Sequence, residues 1–164
     1  TQALRIHPRP WHAPVLLPAP ICLYTMRQVS LIILYDEDNR LLLQHRSEDA
    51  YTLPGYWGFF GGDIEANENP LEAIHRETRE ELEYSLENPT LLLEPELVLP
   101  NGRIKAFIYI EKLNREKSRL MLREGQDMGW FKPPEHLSLK MMPHDMEIVE
   151  RTYAHLAKKQ HSAD

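Results

Sequence analysis

Three glutamates on one predicted helix have the types and spacing that can do chemistry. Glu77, Glu80 and Glu81 stand at positions i, i+3 and i+4, so at about 100° per residue their carboxylates share one flank of the helix. Carboxylates this close repel and raise one another's pKa unless a counter-charge lies between them. Oxygen ligands without neighbouring His or Cys suit Mg²⁺ or Mn²⁺ better than zinc, copper or iron. The spacing therefore indicates a divalent-cation site.

A merely solvated acidic face, with Arg76 and Arg79 as local partners, is the alternative interpretation of this helix. The residues before the helix favour the cation site. Four of the chain's seven glycines fall in a short window there: Gly55, Gly58, Gly61 and Gly62. Glycine lets a backbone turn sharply or approach a ligand closely. The intervening loop carries a further acid, Glu68, which we expect to form an ion pair with Arg76 and to hold loop and helix together.

These residues resemble the signature of the Nudix hydrolase family. The pattern G-x5-E-x7-R-E-U-x-E-E-x-G-U, in which U is a bulky aliphatic residue, is matched at every charged position by Gly62, Glu68, Arg76, Glu77, Glu80 and Glu81. Residues 40–46 are similar to the family's second strand, and residues 54–57 to its Pro-Gly-x-Trp approach to the loop. The resemblance covers residues 28–153, and a MutT-type nucleotide pyrophosphohydrolase is the member it suggests.

Three positions depart from the family pattern. Thr78 stands where an aliphatic residue is usual, Glu83 replaces the glycine that normally ends the helix, and Phe60 stands where many members have proline. We expect the helix to finish without the left-handed residue that glycine favours. None of the three removes a metal ligand, so they bear on local geometry and substrate preference more than on activity.

The resemblance implies an α/β (α+β) fold, the Nudix fold, in which a mixed β-sheet is sandwiched between α-helices. It also implies Mg²⁺-dependent hydrolysis of a pyrophosphate bond in a nucleoside diphosphate linked to another moiety, with Mn²⁺ as a substitute metal. The metal ligands that it implies are Glu77, Glu80, Glu81 and a carbonyl of Gly61 or Gly62, and the motif is braced by Glu68 and Arg76.

The residue that acts as general base could lie on this helix or on a later loop. Glu77 or Glu81 is the first choice. Residues 123–126 resemble the acid-bearing loop of MutT-type members, which makes Glu124 a metal ligand or an alternative base. The alternative interpretation, which has nearly equal weight, is that Glu124 is a surface turn residue before Gly125. Glu111, at a predicted strand end, is a weaker candidate that we expect to be solvated.

The substrate-binding residues are less well specified. Aromatic residues could stack on a base and basic residues could meet distal phosphates, although such residues are more often core or ordinary surface. His144 lies near the start of the last helix, where MutT-type enzymes present an asparagine to an oxidised guanine, so the histidine weakens a specific assignment to that base. The candidates are Arg46, Trp57, Phe59, Arg103, Trp130 and His144.

A nucleoside triphosphate, normal or oxidised, ranks first as substrate, followed by dinucleoside polyphosphates, ADP-ribose and nucleotide sugars. A non-catalytic nucleotide-sensing Nudix module is the alternative of another class, but it would lack a metal-binding glutamate. An isoprenoid diphosphate isomerase would need a catalytic cysteine in the core. The single cysteine, Cys22, precedes the first predicted strand, which disfavours this third interpretation.

Composition limits the partners. The 164 residues fit one domain, and a net charge of -6 disfavours a nucleic-acid polymer as partner because phosphate backbones bind clustered positive charge. One cysteine without a metal-binding cluster around it fits a reducing, cytoplasmic setting. The longest apolar stretch near the start, residues 15–24, is broken by Pro18 and Pro20 and is too short for a membrane span.

The elements that must position these residues follow a proline-rich tail. Residues 1–25 hold five of the 13 prolines and are predicted to be extended or partly disordered, unless they pack at the contact of a homodimer. Met26 is a plausible natural start, and residues 26–164 form the predicted Nudix hydrolase domain. The pattern predicts strands at 29–35, 41–46, 91–99, 104–113 and 128–132, and helices at 70–84 and 145–158. The inward stripe predicted for the first helix is Leu71, Ile74, Thr78 and Leu82.

Overall fold

Strand β1 (Arg27–Tyr35) lies at the centre of the sheet. In the computed structural model, which describes residues 26–113 and 120–161, β1 pairs in parallel with β7 (Gly102–Lys112). It pairs antiparallel with both β2 (Leu41–His45) and β4 (Phe60–Asp63). A strand buried on both faces has a nearly continuous apolar sequence, which explains why residues 29–35 could be predicted. The predicted tail, residues 1–25, lies outside the described residues.

The remaining strands extend the sheet on both sides of this centre. Strands β3 (Trp57–Gly58) and β8 (Asp127–Phe131) pair antiparallel with β2. Strands β5 (Thr90–Leu93) and β6 (Glu96–Leu99) pair antiparallel with β7. The described residues therefore form one mixed sheet of eight strands. A mixed sheet was expected, but β3 and β4 were not among the predicted strands.

The single strand predicted at 91–99 is wrong, because the structure divides it into β5 and β6. Pro95 lies between them and has no amide hydrogen to donate to a ladder. Its carbonyl still accepts a hydrogen bond from the Ala106 amide at 2.9 Å. The register also shifts between Leu91 and Leu93, so the chain bends here while remaining attached to β7.

Two helices cover opposite faces of the sheet. Helix α1 (Pro70–Leu82) buries Ile74 and Leu82 in one apolar cluster with Ile32 and Phe60. Helix α2 (Pro143–His161), which follows a short 3₁₀ helix (Glu135–Ser138), buries Ile148, Val149 and Leu156 in a second cluster with Ile33 and Leu43. The expected sheet between helices is confirmed, and α2 is longer at both ends than the predicted 145–158. No helix within the described ranges has the length and apolar character to cross a membrane.

The sequence at the start of α1 specifies where the helix begins. The Asn69 side chain accepts hydrogen bonds from the Leu71 and Glu72 amides, each at 3.0 Å, and the Glu72 carboxylate accepts one from the Asn69 amide at 2.8 Å. This capping box satisfies amides that the helix itself leaves free. Pro70 occupies the first turn, where its missing amide hydrogen costs nothing.

The end of α1 differs from the prediction. The helix ends at Leu82, and Glu83 adopts the left-handed conformation with φ 50° and ψ 31°, although it carries a Cβ that makes this region unfavourable. Its side chain forms an ion pair with Arg123. The predicted inward position of Leu71 is also wrong, since this side chain is exposed and Ala73 is buried instead. Thr78 is fully buried, and its hydroxyl donates to the Ile74 carbonyl at 2.7 Å.

We expect Glu83→Gly to be more stable than Glu83→Ala by about 1 kcal/mol. Both substitutions remove the ion pair with Arg123, and only glycine also relieves the left-handed strain. Urea unfolding of the two variants measures the difference directly, with alanine as the matched control. Equal free energies of unfolding would contradict the strain at this position.

Candidate active site

Two glycines of β4 bring the sheet against the glutamates of α1. The β1–β4 register sets Gly61 opposite Leu31 and Gly62 opposite Ser30. Gly61 has φ +117°, and a Cβ added there would lie 2.2 Å from the Ser30 carbonyl oxygen. A Cβ at Gly62 would lie 2.7 Å from Glu77 Oε1. The backbone contact and the positive φ therefore require glycine at Gly61, whereas at Gly62 the missing side chain leaves room for the Glu77 carboxylate.

Glu81 is the most buried carboxylate of the helix. Its side chain lies inside with the residue 3% exposed, and its Oε2 accepts a hydrogen bond from the Gly61 amide at 2.7 Å. The pKa of Glu81 is raised to about 8, first by burial and then by the negative charges of Glu124 and Glu77, while the hydrogen bond from the Gly61 amide opposes the rise. A buried carboxylate with like charges beside it attracts a cation or a proton.

Arg76 holds the loop before the helix to the helix itself. Its Nη2 lies 2.6 Å from Glu68 Oε1 and donates to the Asp63 carbonyl at 3.0 Å. Its Nη1 contacts Glu77 Oε1 at 2.7 Å and Glu80 Oε2 at 3.2 Å. The guanidinium therefore forms the predicted contact with Glu68 and also partly neutralises two of the three glutamates.

The carboxylates on this flank interact although they differ in exposure. Burial raises the pKa of Glu77, and the charges of Glu80 and Glu124 add to the rise, while the hydrogen bond and charge of Arg76 oppose it. The Glu80 side chain is 61% exposed. Glu124, on the loop before β8, is exposed and acts on both Glu77 and Glu81. The four carboxylates thus share one electrostatic neighbourhood.

The donor set of this cluster fits a hard divalent cation. Its donor atoms are carboxylate and carbonyl oxygens, and burial, with a smaller contribution from neighbouring negative charges, raises the pKa values of Glu77 and Glu81. Within residues 26–113 and 120–161, no three His, Cys, Asp or Glu side chains are already assembled around one point as metal ligands. Arg76 explains part of this absence, because its guanidinium forms ion pairs with the carboxylates of Glu77 and Glu80.

A cleft beside the cluster brings together seven of the residues singled out in the sequence. Its lining includes Gly61, Gly62, Glu124, Arg46, Trp57, Phe59 and His144. The Trp57 ring stacks on the His45 ring with centroids 4.6 Å apart and planes 4° from parallel, so the indole is held in place. Arg46, expected near phosphate, and the aromatic residues expected near a base therefore border one cavity with the glycine loop, while Glu77, Glu80 and Glu81 are not part of its lining.

Two predicted substrate residues lie away from this cleft. Arg103, at the start of β7, has a 70% exposed side chain, and its Nη1 lies 3.9 Å from Glu96 Oε2. Trp130, in β8, is half-buried and packs against the apolar cluster on the α1 face. Neither residue lines the cleft, which favours the ordinary surface and core roles for these two side chains.

Glu111 is not solvated as expected, because it is 6% exposed. Its carboxylate accepts hydrogen bonds from the Asn88 amide at 2.7 Å and the Glu87 amide at 2.9 Å, and from the Tyr84 hydroxyl at 3.1 Å. These bonds attach the segment after α1 to β7, so Glu111 has a structural role. The local pattern carried no signal for these partners, since they come from another element.

Asp145 and Gln44 are site residues that the sequence did not single out. Asp145 lines the cleft, burial raises its pKa to about 7, and the charge of Arg46 opposes the rise. Asp145 lies in the first turn of α2, where acidic residues are common, so its position carried no separate signal for a site. Gln44 is 1% exposed and forms a hydrogen bond with Glu81. The available sequence signal for Gln44 was its position as a polar residue directly after three leucines in a buried strand.

Comparison with known proteins agrees with this geometry. The family model described as NUDIX domain matches residues 25–152. The nucleoside triphosphatase NudI of Escherichia coli O139:H28 (strain E24377A / ETEC) is 31% identical over 143 residues, which covers 77% of this chain and 94% of that protein.

Solved structures share the fold at lower identity. The MutT protein from Methanosarcina mazei Go1 superposes with a TM-score of 0.69 at 20% identity, covering 79% of this chain and 94% of that one. The NUDIX domain of Shewanella oneidensis NrtR, complexed with ADP ribose, superposes with a TM-score of 0.71 at 16% identity, covering 84% and 93%. The family match and the similarity to NudI show that the chain is a member of the Nudix hydrolase family, a pyrophosphohydrolase that acts on acid anhydrides.

Proposed function

We propose that the chain hydrolyses nucleoside triphosphates, normal or oxidised, with Mg²⁺ as cofactor and Mn²⁺ as a substitute. One observation carries the proposal: a single cleft is bordered by the glycine loop and Glu124 and also by Trp57 and His144. A nucleotide has a charged end and an aromatic end, and this cleft offers oxygen ligands for the first and a ring surface for the second.

Glu77, Glu80, Glu81 and a carbonyl of Gly61 or Gly62 are the proposed metal ligands. A bound divalent cation would spread the negative charge of the pyrophosphate and make a bound water more acidic. Glu81 is the fixed member, since it is buried and held by the Gly61 amide. Glu68 and Arg76 act at a distance from the substrate by holding the loop to α1.

Glu124 is our preferred acceptor for the proton of the attacking water. Its carboxylate borders the cleft and is exposed, whereas Glu81 is buried and Glu77 is bound to Arg76. The sequence alone favoured Glu77 or Glu81 as the base. Accessibility reverses that preference, because a general base must reach a proton at the reacting water.

Arg46, Trp57 and His144 are the proposed substrate contacts in the same cleft, with Phe59 supporting the wall from the core. Arg46 Nε donates to the Thr52 carbonyl at 2.8 Å, which fixes the guanidinium at the cleft for contact with a phosphate. Burial lowers the pKa of His144. A neutral imidazole offers one donor and one acceptor to a nucleobase edge.

The choice of nucleoside triphosphate is supported by the relative NudI, a nucleoside triphosphatase, and by the MutT-like fold. The NrtR domain is complexed with ADP ribose, so ADP-ribose stays in the substrate panel with dinucleoside polyphosphates and nucleotide sugars. All three signature glutamates are present, which favours hydrolysis over sensing without cleavage. The cytoplasmic setting and the homodimer stay predictions from the sequence.

Hydrolysis of a panel of these nucleotides, with products separated by chromatography, tests the proposed function. We expect cleavage of a nucleoside triphosphate in Mg²⁺ and none in EDTA, because the carboxylates need a cation to act on an anionic substrate. Preference for ADP-ribose or a nucleotide sugar would change the substrate class. Binding without turnover across the panel would contradict hydrolysis of these substrates and favour a sensor.

We expect Glu81→Gln to lower turnover by roughly 100-fold or more at saturating Mg²⁺, since loss of a metal ligand or its support commonly costs this much. The substitution keeps the size of the side chain and its ability to accept from the Gly61 amide. Glu150→Gln, at an exposed position of α2, is the matched control and should retain full activity. A fully active Glu81→Gln variant would remove this residue from the mechanism.

The same variant should be more stable than the wild type at alkaline pH in EDTA. The pKa of Glu81 rises from 4.5 to about 8 on folding, so its contribution to stability is full below pH 4.5 and is lost as pH rises through about 8. Glutamine carries no such penalty. We expect Glu81→Gln to gain on the order of 2 kcal/mol at pH 9 and little at pH 4.5. Urea unfolding at the two pH values measures it, and equal gains at both would contradict the buried charge.

A further inference from the structure

Gln44 is a buried amide in a place where an apolar side chain would pack. It lies in β2 after Leu42 and Leu43, both fully buried, and is itself 1% exposed. Burying an amide is unfavourable unless its donors and acceptor find partners. The partners of Gln44 are therefore the reason for a polar residue at this position.

Those partners are the two carboxylate-bearing residues that reach the site from different elements. Gln44 Nε2 donates to the backbone carbonyl of Glu124 at 3.1 Å. The same side chain forms a hydrogen bond with the Glu81 carboxylate that favours its charged form. An amide NH₂ has two hydrogens, so one group can serve the helix and the loop together.

The loop that carries Glu124 packs directly on Gln44. Gly125 has φ +89°, and a Cβ there would lie 3.0 Å from Gln44 Cγ and 2.9 Å from the His45 carbonyl oxygen. On one side the Arg123 amide donates to the Glu81 carbonyl at 2.7 Å, and on the other the Gln126 amide donates to the His45 carbonyl at 2.8 Å. These backbone bonds attach the loop to both α1 and β2, and Gln44 lies between the attachments.

We propose that Gln44 is a positioning residue that sets the Glu81 carboxylate and the Glu124 loop relative to each other. The inference rests on the proposed function, in which Glu81 binds the cation and Glu124 accepts the proton. Gln44 is not in the lining of the proposed substrate cleft, although it lines a smaller neighbouring cavity together with Glu124 and Gly125. It therefore acts on the proposed reaction through Glu81 and Glu124. Without the Gln44 amide, the loop keeps its backbone attachments, including the one to the Glu81 carbonyl, but loses the side-chain link to the Glu81 carboxylate.

The first test compares Gln44→Met with the wild type. Methionine has a similar length and no amide, so packing is retained and both hydrogen bonds are lost. We expect kcat to fall by roughly 10- to 100-fold, as for other residues that orient metal ligands, with the substrate KM changed less than about threefold. Thr152→Val, which removes a fully buried hydroxyl bonded to the Ile148 carbonyl on α2, is the control for a purely structural loss.

A double-mutant cycle with Glu124→Gln separates positioning from general destabilisation. Because Gln44 acts partly through Glu124, its removal should cost markedly less kcat once Glu124 is already glutamine, and only the loss through Glu81 should remain. A structural role predicts the same loss on either background. Full additivity, or an unchanged kcat in folded Gln44→Met, would overturn the proposal.

Binding of Mn²⁺ followed by electron paramagnetic resonance gives a readout without turnover. We expect a dissociation constant roughly tenfold higher for Gln44→Met than for the wild type or Thr152→Val. If the wild type cleaves no nucleotide, the proposed function fails while this titration still tests Gln44. Equal Mn²⁺ affinities, or a wild type that binds no Mn²⁺, would overturn the positioning role.

Gln44→Asn covers the case in which the methionine variant does not fold. Asparagine keeps the amide but is one methylene shorter, so it cannot reach both Glu81 and the Glu124 carbonyl from β2. We expect a loss in kcat and in Mn²⁺ affinity for this variant as well. Wild-type values for a folded Gln44→Asn would contradict the bridge.

Discussion

The contact between the Gly61 amide and the buried Glu81 carboxylate is the interaction on which the site depends. It joins the central sheet to α1 at 2.7 Å, and it needs three separate features of the sequence. The β1–β4 register places Gly61 against Ser30 and Leu31, glycine permits that approach, and the capping box at Asn69 fixes where the helix begins. A shift of one residue in the strand pairing would turn Gly61 away from the helix.

The burial that fixes Glu81 also makes the cluster unfavourable without a counter-charge. Arg76 neutralises the exposed side of the group through Glu77 and Glu80, and the Gly61 amide partly offsets the charge on the buried side. Neither removes the repulsion between Glu81 and Glu124. In the proposed metal site this remaining repulsion would favour a bound cation at the expense of stability, a trade that is common at functional sites.

The sequence predicted what depends on local pattern. The apolar run of β1, the capping box of α1 and the fixed spacing of the signature glutamates are properties of neighbouring residues, and all three appear in the structure. Two departures from the family pattern are also accommodated by packing. Thr78 satisfies its hydroxyl within the helix, and Phe60 is fully buried in the cluster on the α1 face.

What the sequence missed depends on contacts between distant segments. Glu111 is buried because amides after α1 reach it, and Gln44 matters because the Glu124 loop folds onto it. Arg103 and Trp130 have suitable side chains but lie on strands that place them away from the cleft. Glu83 adopts a conformation that its residue type disfavours because the chain must turn there. No periodicity or local motif encodes these partners.

Calorimetric titration of Mn²⁺ at pH 7, repeated in buffers of different ionisation enthalpy, tests the central claim most directly. Because the pKa of Glu81 is about 8 in the metal-free chain, its carboxyl is mostly protonated at pH 7 and must lose that proton to become a ligand. We predict release of about one proton per bound cation from the wild type and markedly less from Glu81→Gln. Binding without proton release, or no binding at all, would contradict a buried glutamate cluster built to hold a divalent cation.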